Sequence, residues 1–181
     1  AVNVAGGNLS VVDATALTVT SRSQAADSNL YLQTIAGVLT VPAGAINTGT
    51  AQLSLISGAG SLTTPGVLNG SDILLVAPDG ITIPFAITAT GTFNASTSNA
   101  ASVMAVNNLV NSVGAMNLTL AGGLTVQSGA GQAATLTANA NQTIDAKYVE
   151  VITPSTNVAS IITTAGNQNI TTHGMNGSGE G

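Results

Sequence analysis

Cysteine, aromatic side chains and charge are nearly or wholly missing from this chain. With no cysteine in 181 residues, a disulfide scaffold and a zinc–thiolate site are both excluded. Aromatic residues make up 2% of the sequence and tryptophan is absent, so any core must be aliphatic. Charged residues reach only 5%, against roughly a quarter in an ordinary globular domain. Arg22 and Lys147 are the only strong cations and the net charge is −5. Too few basic groups exist to collect several phosphate contacts, which rules out nucleic acid as a partner and docking on anionic lipid with it. Long apolar runs are also missing. No stretch approaches the roughly 20 residues of a membrane-spanning helix, so no membrane insertion is expected. The chain opens on Ala1 with no signal peptide, as expected of a mature product, a processed piece or a cut from something longer.

What fills the gap is aliphatic and neutral-polar. Hydrophobic residues make up 44% of the chain, and Thr, Ser, Asn and Gly replace the missing charge. Such a chain can bury a core and is not of disordered composition. From Ala1 to Gly91 it reads as short alternating segments: Leu9-Ser10-Val11-Val12, Leu17-Thr18-Val19-Thr20, Leu30-Tyr31-Leu32-Gln33, Val38-Leu39-Thr40-Val41, Leu53-Ser54-Leu55-Ile56, Ile73-Leu74-Leu75-Val76. Gly, Asn, Pro or Asp stands between them. Alternation sends Leu, Val and Ile inward and Thr, Ser, Asn and Gln outward.

The last third carries a period. Asn141-Gln142-Thr143-Ile144 and Asn167-Gln168-Asn169-Ile170 lie 26 positions apart. At the same offset, Met116-Asn117-Leu118 precedes Gln142-Thr143-Ile144, and Leu124 to Gln127 precedes Glu150 to Thr153. Ala134 to Ala138 is matched in the same way to Ser160 to Thr164. A fixed period of this size with β-type segments marks a solenoid, so the expected fold is all-β, a right-handed parallel β-solenoid. Asn141, Gln142 and Ile144, with Asn167, Gln168 and Ile170, are the expected turn and ladder positions, because Asn tolerates tight turns and stacked amides hydrogen-bond. The predicted organisation is irregular coils over 1–91, an insertion over 92–115, regular coils over 116–172 and a flexible tail over 173–181. In the insertion, Val103, Met104, Val106, Leu109, Val110 and Val113 recur at three- and four-residue steps, which predicts a short amphipathic helix around 99–113. Ser98 is its candidate cap and Gly114 its stop; Asn107, Asn108 and Asn111 weaken it.

Asn29 to Val41, Met116 to Val126 and Gly166-Asn167-Gln168-Asn169-Ile170 resemble the shaft repeats of the filamentous haemagglutinin family. These are secreted β-helical adhesins of Gram-negative bacteria, exported by two-partner secretion. The resemblance covers about two thirds of the chain and implies an extracellular or cell-surface location and an adhesive or structural role. It implies as partners further copies of the chain, flanking repeats of a longer chain, or a host or neighbouring-cell surface. The secretion domain of that family has no counterpart here.

No catalytic reading emerges. His173 is the only histidine, and the seven acids are scattered singly, unlike the clustered carboxylates of β-helical lyases and hydrolases. The chain is therefore expected to be neither an enzyme nor a cofactor or metal binder. Thr18/Thr20, Thr88/Thr90 and Thr135/Thr137 have the Thr-x-Thr form of an ice-ordering face, but the 26-residue alignment gives them no shared coil phase, and outward β-branched residues explain them. Sequons at Asn8, Asn69, Asn94, Asn117, Asn141, Asn169 and Asn176 fit chance in a chain rich in Asn, Ser and Thr. The expected function is a stiff shaft or an end-to-end stacking filament subunit, with Val2, Val4 and Ile170 as contact residues. The alternatives are a surface-layer or pilus-like subunit of β-sandwich type and an ice- or carbohydrate-binding solenoid.

Overall fold

In a computed structural model of the chain, residues 7–20, 27–154 and 157–174 are described, together with the backbone of strands Val2–Asn3 and Arg22–Ser23. All regular elements among them are β-strands, and every strand ladder is parallel. The one antiparallel contact is an isolated bridge, Gly129 to Gln132. This is a β-solenoid and not a β-sandwich.

Each coil contributes three strands, one to each of three faces around a shared core. The first face is a continuous eight-stranded sheet: Leu9–Asp13, Leu30–Thr34, Leu53–Ile56, Ile73–Val76, Phe93–Thr97, Met116–Leu120, Gln142–Ala146 and Gln168–Thr172. The second runs through Leu62–Thr63, Gly80–Ile83, Val103–Val106, Gly123–Gln127 and Tyr148–Ile152, with Leu17–Thr18 and Leu39–Thr40 as a separate pair at the same position in the coil. The third runs through Ile46–Asn47, Leu68–Gly70, Ile87–Ala89, Leu109–Ser112, Ala134–Ala138 and Ala159–Thr163. Eight strands at about 4.8 Å spacing make a rod about 34 Å long.

Register explains why the first half looks irregular. The file Leu9, Leu30, Leu53, Ile73, Phe93, Met116, Gln142, Gln168 marks turns of 21, 23, 20, 20, 23, 26 and 26 residues. The earlier coils are as regular as the later ones, but their corners differ in length. The 26-residue step is kept through both of the last coils only on the first face; on the third it occurs once, from Val110 to Leu136. On the other two faces the last coils pair at 25: Leu124 lies on Val149, Val126 on Val151 and Leu136 on Ile161. The 26-residue alignment of Leu124 with Glu150 is therefore corrected by one. Because side chains alternate, a slip of one residue would turn Glu150 toward the core and Val149 and Val151 out. The missing residue lies at one corner, where Ala121-Gly122 is answered by Lys147 alone. It returns where Asn139-Ala140-Asn141 is answered by Thr164-Ala165-Gly166-Asn167, and Gly166 has φ +87°.

The predicted helix around 99–113 does not form. Val103–Val106 and Leu109–Ser112 are strands on different faces, so 92–115 is an ordinary part of the coil and not an insertion. Met104, Val106 and Val110 are fully buried, while Leu109 and Val113 are exposed. The three- and four-residue steps arise from two period-2 strands whose phase shifts across a corner at Asn107-Asn108. Asn108 holds that corner by donating from Nδ2 to the Pro84 carbonyl at 3.1 Å and accepting the Leu109 N–H at 2.8 Å. β-branched residues and asparagine have little helix preference to oppose it.

The core is built of single-residue files. One inward file is Val11, Leu32, Leu55, Leu75, Ala95, Leu118, Ile144, Ile170. Phe93 and Ala95 face inward from the same strand, and both are buried. Thr64 is out of place, because its buried Oγ1 finds no hydrogen-bond partner in a position in line with Ile83. Thr64→Val keeps the shape and removes the orphan hydroxyl. It is expected to raise stability by about 1–2 kcal/mol, read as a higher urea midpoint at unchanged slope; a lower midpoint would show that the hydroxyl is satisfied.

Candidate functional site

Two polar ladders sit where the sequence placed its turn residues. The first runs along the corner that precedes the first face. The Asn29 N–H donates to Asn8 Oδ1 at 3.0 Å, Gln52 N–H to Asn29 Oδ1 at 2.9 Å, Thr92 N–H to Asp72 Oδ1 at 2.8 Å and Asn167 N–H to Asn141 Oδ1 at 3.0 Å. Each side-chain oxygen thus satisfies the corner amide one coil further on, where strand pairing has stopped. Asn141 and Asn167 are the C-terminal members of a file of corner residues that begins at Asn8 and is interrupted at Gln52, Thr92 and Ala115, which supply no such acceptor. Sequence inspection missed the earlier members because the turn lengths vary and because Asp72 replaces asparagine.

The second ladder is inside the core. Gln142 is fully buried in the file that carries Phe93 and Met116. Its Oε1 accepts from Gln168 Nε2 at 2.6 Å and from Thr163 Oγ1 at 3.3 Å, and its Nε2 points to Met116 Sδ at 3.3 Å. A buried amide is costly unless bonded, so Gln142 depends on the coil that follows it. Ile144 is fully buried below Ile170, which is 42% exposed.

The C-terminal coil is open. Gln168–Thr172 is exposed along its whole length. Val151 and Ile170, inward by register, are 47% and 42% exposed, whereas Val126 and Ile144 beneath them are fully buried. Among the described residues nothing donates to Asn167 Oδ1. Of the other predicted contact residues, Val2 lies in a strand whose backbone pairs with Arg22, and Val4 lies outside the described residues. So do residues 175–181 of the predicted tail. His173 and Gly174 still belong to the coil, with their N–H groups donating to the Ala146 and Lys147 carbonyls at 3.2 and 2.9 Å.

Two features escaped the sequence reading. His173 Nε2 meets Asp145 Oδ1, a pair 28 residues apart that only coil stacking brings together. Thr18 pairs with Thr40, Thr63 with Thr82, and Thr125 follows across Ala105, so a threonine file does run along the second face. The signal was present in Leu39-Thr40-Val41-Pro42, Leu62-Thr63-Thr64-Pro65 and Ile81-Thr82-Ile83-Pro84, whose unequal spacing hides it. The file is one residue wide, broken at Ala105, and ends on Glu150, so it makes no two-dimensional array.

Asp72 makes the corner ladder sensitive to acid. The N–H of Thr92, followed by its hydroxyl at 2.9 Å, donates to the carboxylate and holds its pKa below the ordinary value. The stability this adds is complete above the ordinary carboxylate value of about 3.9 and is lost as pH falls through the lower folded-state value. Asp72→Asn, the residue at Asn8, Asn29 and Asn141, keeps the acceptor and is expected to flatten this part of a melting-temperature profile taken from pH 6 to pH 2. An unchanged profile would place the acid sensitivity elsewhere. Gln168→Ala should leave Gln142 Oε1 with Thr163 alone and cost about 1–3 kcal/mol. Amide exchange should quicken in Gln142–Ala146 and Gln168–Thr172 and stay unchanged in Leu53–Ile56.

Comparison of the chain with protein-family models, with curated proteins and with solved structures found no match in any of the three.

Proposed function

We propose that this chain is a structural and adhesive rod, non-catalytic, whose coils continue onto further solenoid coils at the open C-terminal end. The observation that carries the reading is the state of the last coil. It has the inward file of a core, exposed at Val151 and Ile170, a strand edge with no partner among the described residues, and an unmet ladder acceptor at Asn167. A solenoid end of this kind is normally closed by a polar capping repeat or by more coils. The chain has few edge lysines to block pairing, Lys147 being the only lysine.

The occupant that fits is a second copy of this chain, or flanking repeats of a longer one, because the corner ladder has a direction. The oxygens of Asn8, Asn29, Asp72 and Asn141 each accept from the following coil, so Asn167 offers an acceptor where the Asn8 corner of another copy offers an N–H. The placement of such a rod outside the cell, on a Gram-negative surface, rests on the resemblance to filamentous haemagglutinin shafts. A host or neighbouring-cell surface would then be what it holds.

Negative-stain imaging and sedimentation over a dilution series test the reading. Rods of constant narrow width are expected to lengthen with concentration. Ile170→Lys, placed at a site already 42% exposed, should hold the chain as single particles with an unchanged melting temperature. Compact particles at every concentration, the same for both proteins, would sink self-stacking.

A further inference from the structure

A trough runs lengthwise along the corner between the first and second faces. One depression of about 450 Å³ is continued by a second of about 290 Å³, and the two share Thr97 and Thr119. From the level of Gln33 to that of Asp145 the trough crosses five coil steps, about 24 Å. Its shape has a local cause. Corner residues are small because successive coils touch there: a Cβ on Gly58 would lie 2.2 Å from the Ile35 carbonyl oxygen, and one on Gly122 would lie 1.9 Å from that of Ser102. The taller outward file of the first face then forms one wall.

The lining sorts ligands by chemistry. No ionisable side chain lines the larger depression. The ionisable side chains Asp145, Lys147 and His173 collect at the far end of the smaller one, and Asp145 and His173 already pair. Floor hydroxyls are engaged within the protein: Ser57 Oγ donates to the Ala59 carbonyl at 2.6 Å, Thr34 Oγ1 accepts the Gly58 N–H at 2.8 Å, and Ser102 Oγ donates to Thr97 Oγ1 at 2.7 Å. Rim hydroxyls are not. The hydroxyls of Ser96, Ser98 and Thr119 bond to no other described residue, and on the two preceding coils lie the aliphatic surfaces of Ile56, Val76 and Pro78. Backbone groups along the trough are bonded from coil to coil, as in Ser57 N–H to Val76 carbonyl at 2.8 Å and Ala77 N–H to Ser96 carbonyl at 3.2 Å. An added peptide strand, which needs a run of free main-chain donors and acceptors, finds no such run there.

We propose that this trough binds a neutral linear glycan laid parallel to the rod axis. A long uncharged polymer with hydroxyls on its edges and C–H groups on its faces matches a trough in which the aliphatic surface of Ile56 and Val76 runs on into the unengaged hydroxyls of Ser96 and Thr119, one residue per coil. An acidic polymer gains little, since Lys147 is the only lysine of a chain of net charge −5 and it stands beside Asp145. The proposal gives the adhesive part of the function a ligand class and rests on that reading. It uses none of the stacking residues.

Calorimetric titration of the full chain with a linear neutral glucan hexasaccharide, and separately with a linear polyuronate of equal length, tests it. Saturable binding of the glucan is expected, weakened about tenfold by Ser96→Leu with Thr119→Leu through the loss of two net hydrogen bonds. Thr143→Leu, on the same face outside the trough, should leave it unchanged. No saturable binding up to millimolar glucan, equal weakening by Thr143→Leu, or preference for the polyuronate would each overturn the proposal. Rod growth is followed by sedimentation in the same samples. Absent binding with normal rods therefore refutes the trough alone, and normal binding without rods refutes the stacking alone.

Discussion

Backbone hydrogen bonds in this protein run along the rod axis, from one coil to the next, and hardly at all within a coil. A single coil therefore satisfies neither its own amides nor its own apolar face, and both are completed only by the neighbours above and below. The inward files, the amide ladders and the small corner residues follow from that dependence. A file keeps its place only if every coil delivers, at the same level, a residue its neighbours can pack against or hydrogen-bond, and the corners absorb whatever length difference remains. Turns of 20 to 26 residues coexist in one rod because strand register is kept while corner length varies.

The same dependence explains how polar groups are treated. Where the ladder of strands breaks at a corner, Asn8, Asn29, Asp72 and Asn141 replace the lost backbone acceptor with a side-chain oxygen. Where an amide enters the core, at Gln142, the next coil supplies Gln168 and Thr163 to meet it. Thr64 has no such neighbour, and its hydroxyl stays unmet. The amide side chains are thus supported along the axis, while corner hydroxyls such as Ser57 and Ser102 are met within their own coil. A terminal coil carries the consequences, with Ile170, Val151 and Asn167 prepared for a neighbour.

A neutral surface has its own physical meaning. With two strong cations and seven acids in 181 residues, neither long-range steering nor ion-pair recognition has much to work with. Recognition falls to shape and to short-range hydrogen bonds, which the lengthwise trough and the open coil both offer. An acid, a lysine and the histidine meet at Asp145, Lys147 and His173, at the last coil.

The sequence by itself determined the class of fold. Alternating aliphatic and hydroxylic residues, short segments between turn formers and the spacing of Asn141-Gln142 and Asn167-Gln168 are local signals, and local chemistry is enough to read a parallel solenoid from them. Asn141 and Gln142, with Asn167 and Gln168, stand out for the same reason, since amide side chains at a fixed phase mark positions that stack from coil to coil. The tertiary structure alone decided register. Whether Val149 or Glu150 lies on Leu124 depends on one residue lost at Lys147 and regained at Gly166. Whether Val103 to Val113 forms a helix or two strands depends on coils already stacked beneath it. It also decided every association across coils, the Asp145–His173 pair, the threonine file and the trough among them. Residues 20 to 28 apart become neighbours only through a stacking that corner lengths control, and a chain with variable corners carries no fixed period from which those neighbours could be counted.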